Sequence, residues 1–458
     1  TQVIRLPYGI GVVGTGFEAV HKGKAALKVT WKKGAVAETY STERALGEYA
    51  AVAATLSKPG VKMHEAGNFG RAFGAAAQTF TAAYVTDHVY HATMEPMNGT
   101  ARVSPDGTSA ELWLPTQAPG INQLSAAGAL KTTPDKITVH TTYLGGGFGR
   151  RGEQDFVIDA VLLAKATGKP VKVIWSREDD VKNDKFRPLT GQFLQAGLDE
   201  DGNLSAWRHR IVAAGLYSRF NPAAYRQLQG RDAPVAEGHE ITYSCLNQLH
   251  ELFREERGYD VGFWRGVGTG YTKFASESFI DEIARAQRID PVQFRLRLLA
   301  HHPRGGFIVR RAAEMAGWGR KPKGRALGFA YSDAWRSFVA TVAEVSVDRK
   351  SGKIRVHEIW TAVDSGVAIQ PDIIVAQMEG GTVFAVGAAL QERITIENGV
   401  VQQSNFHDYP LVRLADLPEI HVEVFSTDNA PGGIGEAGVP AIAPAIANAV
   451  ATLTGARV

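Results

Sequence analysis

Two periods of hydrophobic and polar residues divide the chain. Alternation at every second position over residues 79–86 and 110–114 predicts half-buried strands, the second entered through the turn Pro105-Asp106-Gly107. Apolar residues at helical spacing over 121–130 and 156–166 predict helices that lead into and out of the strands 137–143 and 171–175. Further on, strands 194–198 and 204–214 flank the turn 199–202, and strands 339–347 and 354–363 flank the turn 349–352. A last strand is expected over 420–425. Helices are expected over 273–287, over 292–301 with Asp290 as its cap before Pro291, over 371–391, and from Pro440 onward.

The front gives a strand-like Ile10-Gly11-Val12-Val13, a helical 17–27 and a short strand 28–31, followed by a mixed, helix-leaning stretch to residue 68. It reads as the tail of a domain whose beginning is absent. Residues 217–256 show neither period and read as loop, with a composition shift over 217–237. The reading is an α+β (mixed α/β) chain of three parts, 1–35, 36–225 and 226–458, and 458 residues are indeed too many for one core.

Charge and cysteine content narrow the function. A net charge of +3, with acidic and basic residues interspersed, argues against a nucleic-acid or anionic-membrane partner. No apolar run is read as reaching the length of a membrane helix, and the start is neither an initiator Met nor a signal peptide. With Cys245 alone, the chain can have no internal disulfide and no cysteine-ligated cluster. His88, His91, His301 and His302 lack third and fourth ligands nearby and read as ordinary histidines.

Glycine-rich loops carry the remaining chemistry. Gly147-Phe148-Gly149-Arg150-Arg151-Gly152 fits the dinucleotide fingerprint between a strand and a helix, with Glu178 as a candidate ribose ligand, although two arginines crowd the turn. A nicotinamide-dependent dehydrogenase is therefore one reading, and a non-catalytic scaffold is another. Residues 262–270 form a further glycine loop, and Gly380, Gly381 and Gly387 narrow one face of the helix 371–391, which predicts close packing against a backbone or a ligand. In the stretch 431–448, Glu436 stands alone among Gly432, Gly433, Gly435 and Gly438 ahead of a helix. It is either a helix-dipole partner or a reactive carboxylate.

Taken together, residues 91–98, 115–117, 145–151, 175–180, 262–268, 377–381, 404–410 and 432–440 resemble the large, molybdopterin-binding subunit of the molybdenum hydroxylases over nearly the whole chain. Within that family the resemblance is to the isoquinoline 1-oxidoreductase and bacterial membrane-bound aldehyde dehydrogenase groups. It implies elongated molybdopterin-binding domains built of mixed sheets with packed helices, preceded by the remnant of a smaller α/β domain. Glu436 falls on the family's catalytic base, and Gln117 on the residue that hydrogen-bonds the apical oxo ligand of molybdenum. Gly146, Gly147, Phe148, Gly149, Arg265, Gly266, Gln377, Gly380, Gly381 and Gly435 match cofactor-binding positions, and Trp264, Val267 and Phe406 are candidates for the substrate pocket.

The same resemblance implies molybdenum held by the pterin dithiolene, so no protein metal ligands, with the cofactor in its cytosine dinucleotide form. It implies a small 2Fe-2S iron-sulfur partner subunit, a membrane cytochrome c subunit beyond it, and a periplasmic location. Purine-oxidising relatives carry Glu where this chain has Gly152 and Phe where it has Val267, so the expected substrate is an aldehyde or a flat N-heteroaromatic, with water as oxygen source.

Overall fold

The computed structural model describes residues 1–457. Three sheets organise it. The largest has five strands in the spatial order Val61–Ala66, Gln248–Arg254, Leu204–Ala213, Thr190–Leu198 and Gln78–Thr86, mixed in direction because only Leu204–Ala213 and Gln248–Arg254 run parallel. The hairpin expected around 199–202 is its centre, and the helix Thr42–Ala54 lies on it so closely that the Tyr49 backbone meets Gly191.

A second sheet orders Ala326–Ala334, Ser337–Val347, Ile354–Asp364 and Glu419–Phe425. On it lies the last helix, Ile442–Thr454, which starts two residues after Pro440, where Ala441 is the cap. Its Ala445 and Ala449 backbones touch Gly328, so small residues on both surfaces allow the close approach. Between this sheet and the first runs the helix Val267–Ala286, nearly all of it buried. One apolar cluster holds residues from Tyr40 to Val450, including Trp264, Tyr409 and Ile446.

The third sheet corrects the dinucleotide reading. Its order is Ile137–Thr141, Ala110–Leu114, Asn98–Val103, Val171–Ile174. The strands before and after the helix Asp155–Thr167 therefore occupy opposite edges with two strands between them, whereas a dinucleotide-binding unit joins strands near one another around its glycine turn. Glu178 does not face that turn either, because it lies in the short helix Arg177–Lys182 and accepts from Asn405 at 2.9 Å.

Other expectations also fail. Residues 28–31 form no strand, and the front is instead a hairpin, Gln2–Leu6 with Gly9–Val13, whose Ile4 packs with Phe156 and Leu163. The expected loop 217–256 holds three short helices and a strand. Contrary to the sequence reading, Pro371–Leu390 is long and apolar enough to cross a membrane, with a mean hydropathy of 1.6. Its Met378, Ala385 and Val386 are buried, as in a core helix.

Candidate functional site

The candidate residues meet where the three sheets' loops converge on the helix Pro371–Leu390. Gln117 ends the strand Ala110–Leu114 by three residues and accepts a hydrogen bond at Oε1 from the Gly149 N–H, 3.1 Å. Gly147 faces the same side chain, since an added Cβ would strike Gln117. Gly149 has φ +109, and a Cβ there would run into the Phe263 carbonyl, so the residue must be glycine. Gly146 also has positive φ, +90, and Phe148 is held at +54, a strained value for an aromatic residue.

The two arginines that crowded the fingerprint point inward and are buried. Arg150 pairs with Asp155 through two hydrogen bonds of 2.9 and 2.7 Å and with Asp184 at 2.8 Å, and Arg151 reaches Glu95 at 2.8 Å. Asp184 also binds His91 Nδ1 at 2.7 Å, while His91 Nε2 meets the Phe263 carbonyl at 3.1 Å. His91 is therefore a strut between two cofactor-type loops. His88 is likewise a core group, between the Tyr40 hydroxyl and the Arg187 carbonyl, with its pKa pushed down to about 4 by burial.

Phe384, one turn after Gly380 on the helix Pro371–Leu390, is the hub that the sequence reading passed over. Its ring lies 4.7 Å from Phe148 and stacks 4.5 Å from Trp264, and the Arg265 guanidinium sits 6.0 Å over it. The signal was available: an aromatic at i+4 from a helix glycine shares its face.

Arg265 is a clamp. Its Nε donates to the Gly435 carbonyl at 2.7 Å and its Nη2 to Gln377 Oε1 at 2.8 Å, which ties the Glu436 loop to the helix Pro371–Leu390. Backbone contact completes the tie, because Gly381 lies against Gly438 and a Cβ on Gly438 would come within 3.0 Å of the Met378 carbonyl. Of the three glycines expected to pack closely, Gly381 thus meets the Glu436 loop, Gly387 meets Glu392, and Gly380 stays open. Gly266, the N-cap of Val267–Ala286 with φ +100, donates its N–H to Glu436 Oε1 at 3.0 Å.

The three pocket candidates separate. Trp264 is 1% exposed, enclosed by Phe384, Arg187 and the Tyr90 carbonyl, and so stands behind the site. Val267, at φ +42, packs against the buried cluster of Ile211, Leu216, Val235 and Val261. Phe406 lies under the Arg177 guanidinium at 4.7 Å.

A residue from the featureless stretch does approach Glu436. Burial, and then the negative charge of Glu436, push Glu237 up to about 7, while its hydrogen bond from Trp335 Nε1, 3.0 Å, opposes the rise.

The shape suits a large cofactor held by backbone. Gln117, Gly380 and Gly435 are exposed; a Cβ on Gly435 would meet nothing within 4 Å, and one on Gly380 only Arg265 at 3.8 Å. The donor set suits a metal carried by an organic ligand, because among the described residues the one group of three metal-ligating side chains is Glu358, Glu419 and His421, on the second sheet. Cys245, the sole thiol, is buried, which raises its pKa to about 11.

Comparison with known proteins shows the family. Two family models described as molybdopterin cofactor-binding domains match residues 54–231 and 309–418. Isoquinoline 1-oxidoreductase subunit beta of Brevundimonas diminuta is 39% identical over 99% of this chain and 59% of its own length. The membrane-bound aldehyde dehydrogenase (pyrroloquinoline-quinone) of Gluconacetobacter polyoxogenes is 30% identical over 97% of this chain and 61% of its own. The chain thus spans about three fifths of these relatives, 59% and 61%. Among solved structures, quinoline 2-oxidoreductase from Pseudomonas putida 86 superposes with a TM-score of 0.80 at 16% identity, covering 94% of this chain and 80% of that one, which speaks to the fold.

Proposed function

Because the chain belongs to the molybdopterin-binding family of molybdenum hydroxylase large subunits, we propose that it is the catalytic part of an enzyme that oxidises an N-heteroaromatic or an aldehyde with oxygen taken from water. The observation that carries this reading is Glu436, held by the Gly266 N–H on a loop that the Arg265 clamp ties to the helix Pro371–Leu390, whose Phe384 meets Phe148 of the glycine loop that bonds Gln117. Bound there, the molybdenum cofactor would supply the two-electron sink and the activation of water. Gly146, Gly147 and Gly149, with Gly380, Gly381 and Gly435, give the backbone surface it lies on, and Gln377 and Arg265 fix the two sides of that surface relative to each other.

The chain's own part is proton transfer and positioning. Glu436 would accept the proton of the activated water through Oε2, because the Gly266 N–H engages and fixes Oε1. Gln117, with its oxygen engaged by Gly149, is left with its amide N–H group as the donor toward the cofactor.

The cytosine dinucleotide form of the cofactor belongs to this reading through the family. Electrons leave through a 2Fe-2S subunit, because one cysteine cannot ligate a cluster, and a cytochrome c subunit lies beyond it. A periplasmic location rests on the likeness to the membrane-bound aldehyde dehydrogenase.

The test is to purify the protein with its partner and measure bound metal, nicotinamide binding, and turnover of isoquinoline and benzaldehyde in isotope-labelled water. Stoichiometric molybdenum and label in the product are expected. Stoichiometric nicotinamide binding without molybdenum would overturn the reading.

A further inference from the structure

Beside Glu436 the featureless stretch builds a second site. Residues 237–242 wall one side of an open cavity of about 370 Å³ lined on the other by Thr269, Asp333 and Trp335. The segment is pressed onto the helix Val267–Ala286: a Cβ on Gly268 would come within 2.5 Å of the Pro234 carbonyl and 2.7 Å of the Glu237 nitrogen. Glu237 is therefore fixed by backbone contact. Its Oε1 accepts from Trp335, while its Oε2 is buried without a partner. Thr269, fully buried, turns an unpartnered Oγ1 to the same cavity, close to the carboxylate but outside hydrogen-bonding geometry.

Trp335 supplies an independent observation. With Arg336 it forms the two-residue turn between Ala326–Ala334 and Ser337–Val347, at φ +51 and +64, where Asn-Gly is the usual choice. Two bulky residues at positive φ are strained, and the structure holds them from the Glu436 side: the Gly433 N–H donates to the Trp335 carbonyl at 2.8 Å, and Ser337 Oγ to the Gly433 carbonyl at 2.7 Å. A hairpin alone does not need this turn. It places an indole on the cavity wall and sews that wall to the loop bearing Glu436.

We propose that Glu237, Thr269 and Trp335 are the substrate-recognition subsite of this enzyme, in which the indole packs on a flat N-heteroaromatic ring and the free Glu237 oxygen hydrogen-bonds the ring nitrogen. The proposal rests on the hydroxylase reading and chooses between its two substrate classes. Because Trp335 donates to Oε1, the proton of a neutral Glu237 resides on Oε2, and burial with the nearby Glu436 charge keeps that neutral form populated up to about pH 7.

The charges facing Glu237 are few. Lys273 pairs with Asp333 at 2.5 Å; burial lowers the His239 pKa and raises that of Tyr271 well above its usual value, so both are neutral near pH 7; Glu436, whose charge acts on Glu237, and the exposed Glu240 are the other carboxylates. The carboxylate product of an aldehyde is repelled by this field, whereas the neutral lactam formed from an N-heteroaromatic is not.

The experiment uses the holoenzyme as wild type, Glu237→Ala and Glu237→Gln, with isoquinoline and benzaldehyde as substrates. In Glu237→Ala the ratio of kcat/KM for isoquinoline to that for benzaldehyde should fall about tenfold, with the loss mainly in KM, because a site that hydrogen-bonds its substrate discriminates through that bond. Glu237→Gln, whose amide can donate, should recover most of the ratio and lack the decline in isoquinoline kcat/KM that is expected of the wild type above about pH 7. Equal losses on both substrates, or a pH profile unchanged in Glu237→Gln, would overturn the subsite. Equilibrium dialysis of isoquinoline against wild type and Glu237→Ala keeps the question separate from turnover: weaker binding in the variant supports the subsite, and equal binding overturns it. Absent molybdenum or absent turnover of both substrates strikes at the hydroxylase reading instead.

Discussion

Glu436 is held by a backbone N–H at 3.0 Å, which fixes the carboxylate without neutralising it. Glu436→Gln keeps the shape and the hydrogen bond but cannot accept a proton. As a mere helix-dipole partner the residue contributes about 0.3–1 kcal/mol, and the change would leave turnover nearly intact. As a general base it is worth about 10² to 10⁴ in rate, so single-turnover reduction by substrate should slow by at least about a hundredfold while molybdenum content stays near wild type. A rate within a few-fold of wild type would return Glu436 to a structural role. At this scale the sequence was informative where chemistry is concentrated in one loop. Glu436 stood out because glycines surround it, whereas Glu237 did not, because its setting comes from the distant contacts of Gly268, Trp335 and Glu436.

Among the elements, strands with one face on a core were legible, since alternation survives in Gln78–Thr86 and Ala110–Leu114. The strand Ala326–Ala334 was missed because seven of its nine residues are buried, which erases the period. The fingerprint at Gly147–Gly152 misled for a topological reason: local order is the same in both folds, and only the placement of Val171–Ile174 at the far edge distinguishes them. The glycine face of Pro371–Leu390 was read as packing on a backbone or a ligand, and Gly381 does pack on the backbone of Gly438 while Gly380 stays open. Gly438→Val should therefore drive the Glu436 loop off this helix. Overpacking of this kind costs about 1–3 kcal/mol, so the protein should fold with a lowered Tm and lose most of its molybdenum. Gly120→Ala, where a Cβ meets nothing within 4 Å, should retain both. Equal metal content in the two variants would show that the contact does not shape the cofactor site.

Over the whole molecule, buried titratable groups set opposing dependences of stability on pH. Burial holds His88 near 4 and His209 near 3, below the ordinary 6.5, so their contribution is complete above about pH 6.5 and is lost as pH falls toward those values. Burial likewise raises Glu237 and Glu392 to about 7 from 4.5, so their contribution is complete below about pH 4.5 and is lost as pH rises through 7. Each group changes stability by about 1.4 kcal/mol per pH unit within its window. Between about pH 4.5 and 6.5 the two acids offset His88 and His209, but burial also depresses His239 and His250, so the wild-type Tm should still fall gently as pH is lowered there. Removing the acids exposes the histidines. In Glu237→Gln, Glu392→Gln protein, Tm should fall steadily as pH is lowered from 6.5 to 4.5, and the slight wild-type decline between pH 6.5 and 7.5 should disappear. Scanning fluorimetry across this range reads both effects. A double variant whose Tm falls no more steeply than that of the wild type would mean that the buried histidines take up protons in the folded protein, and that burial does not hold them neutral.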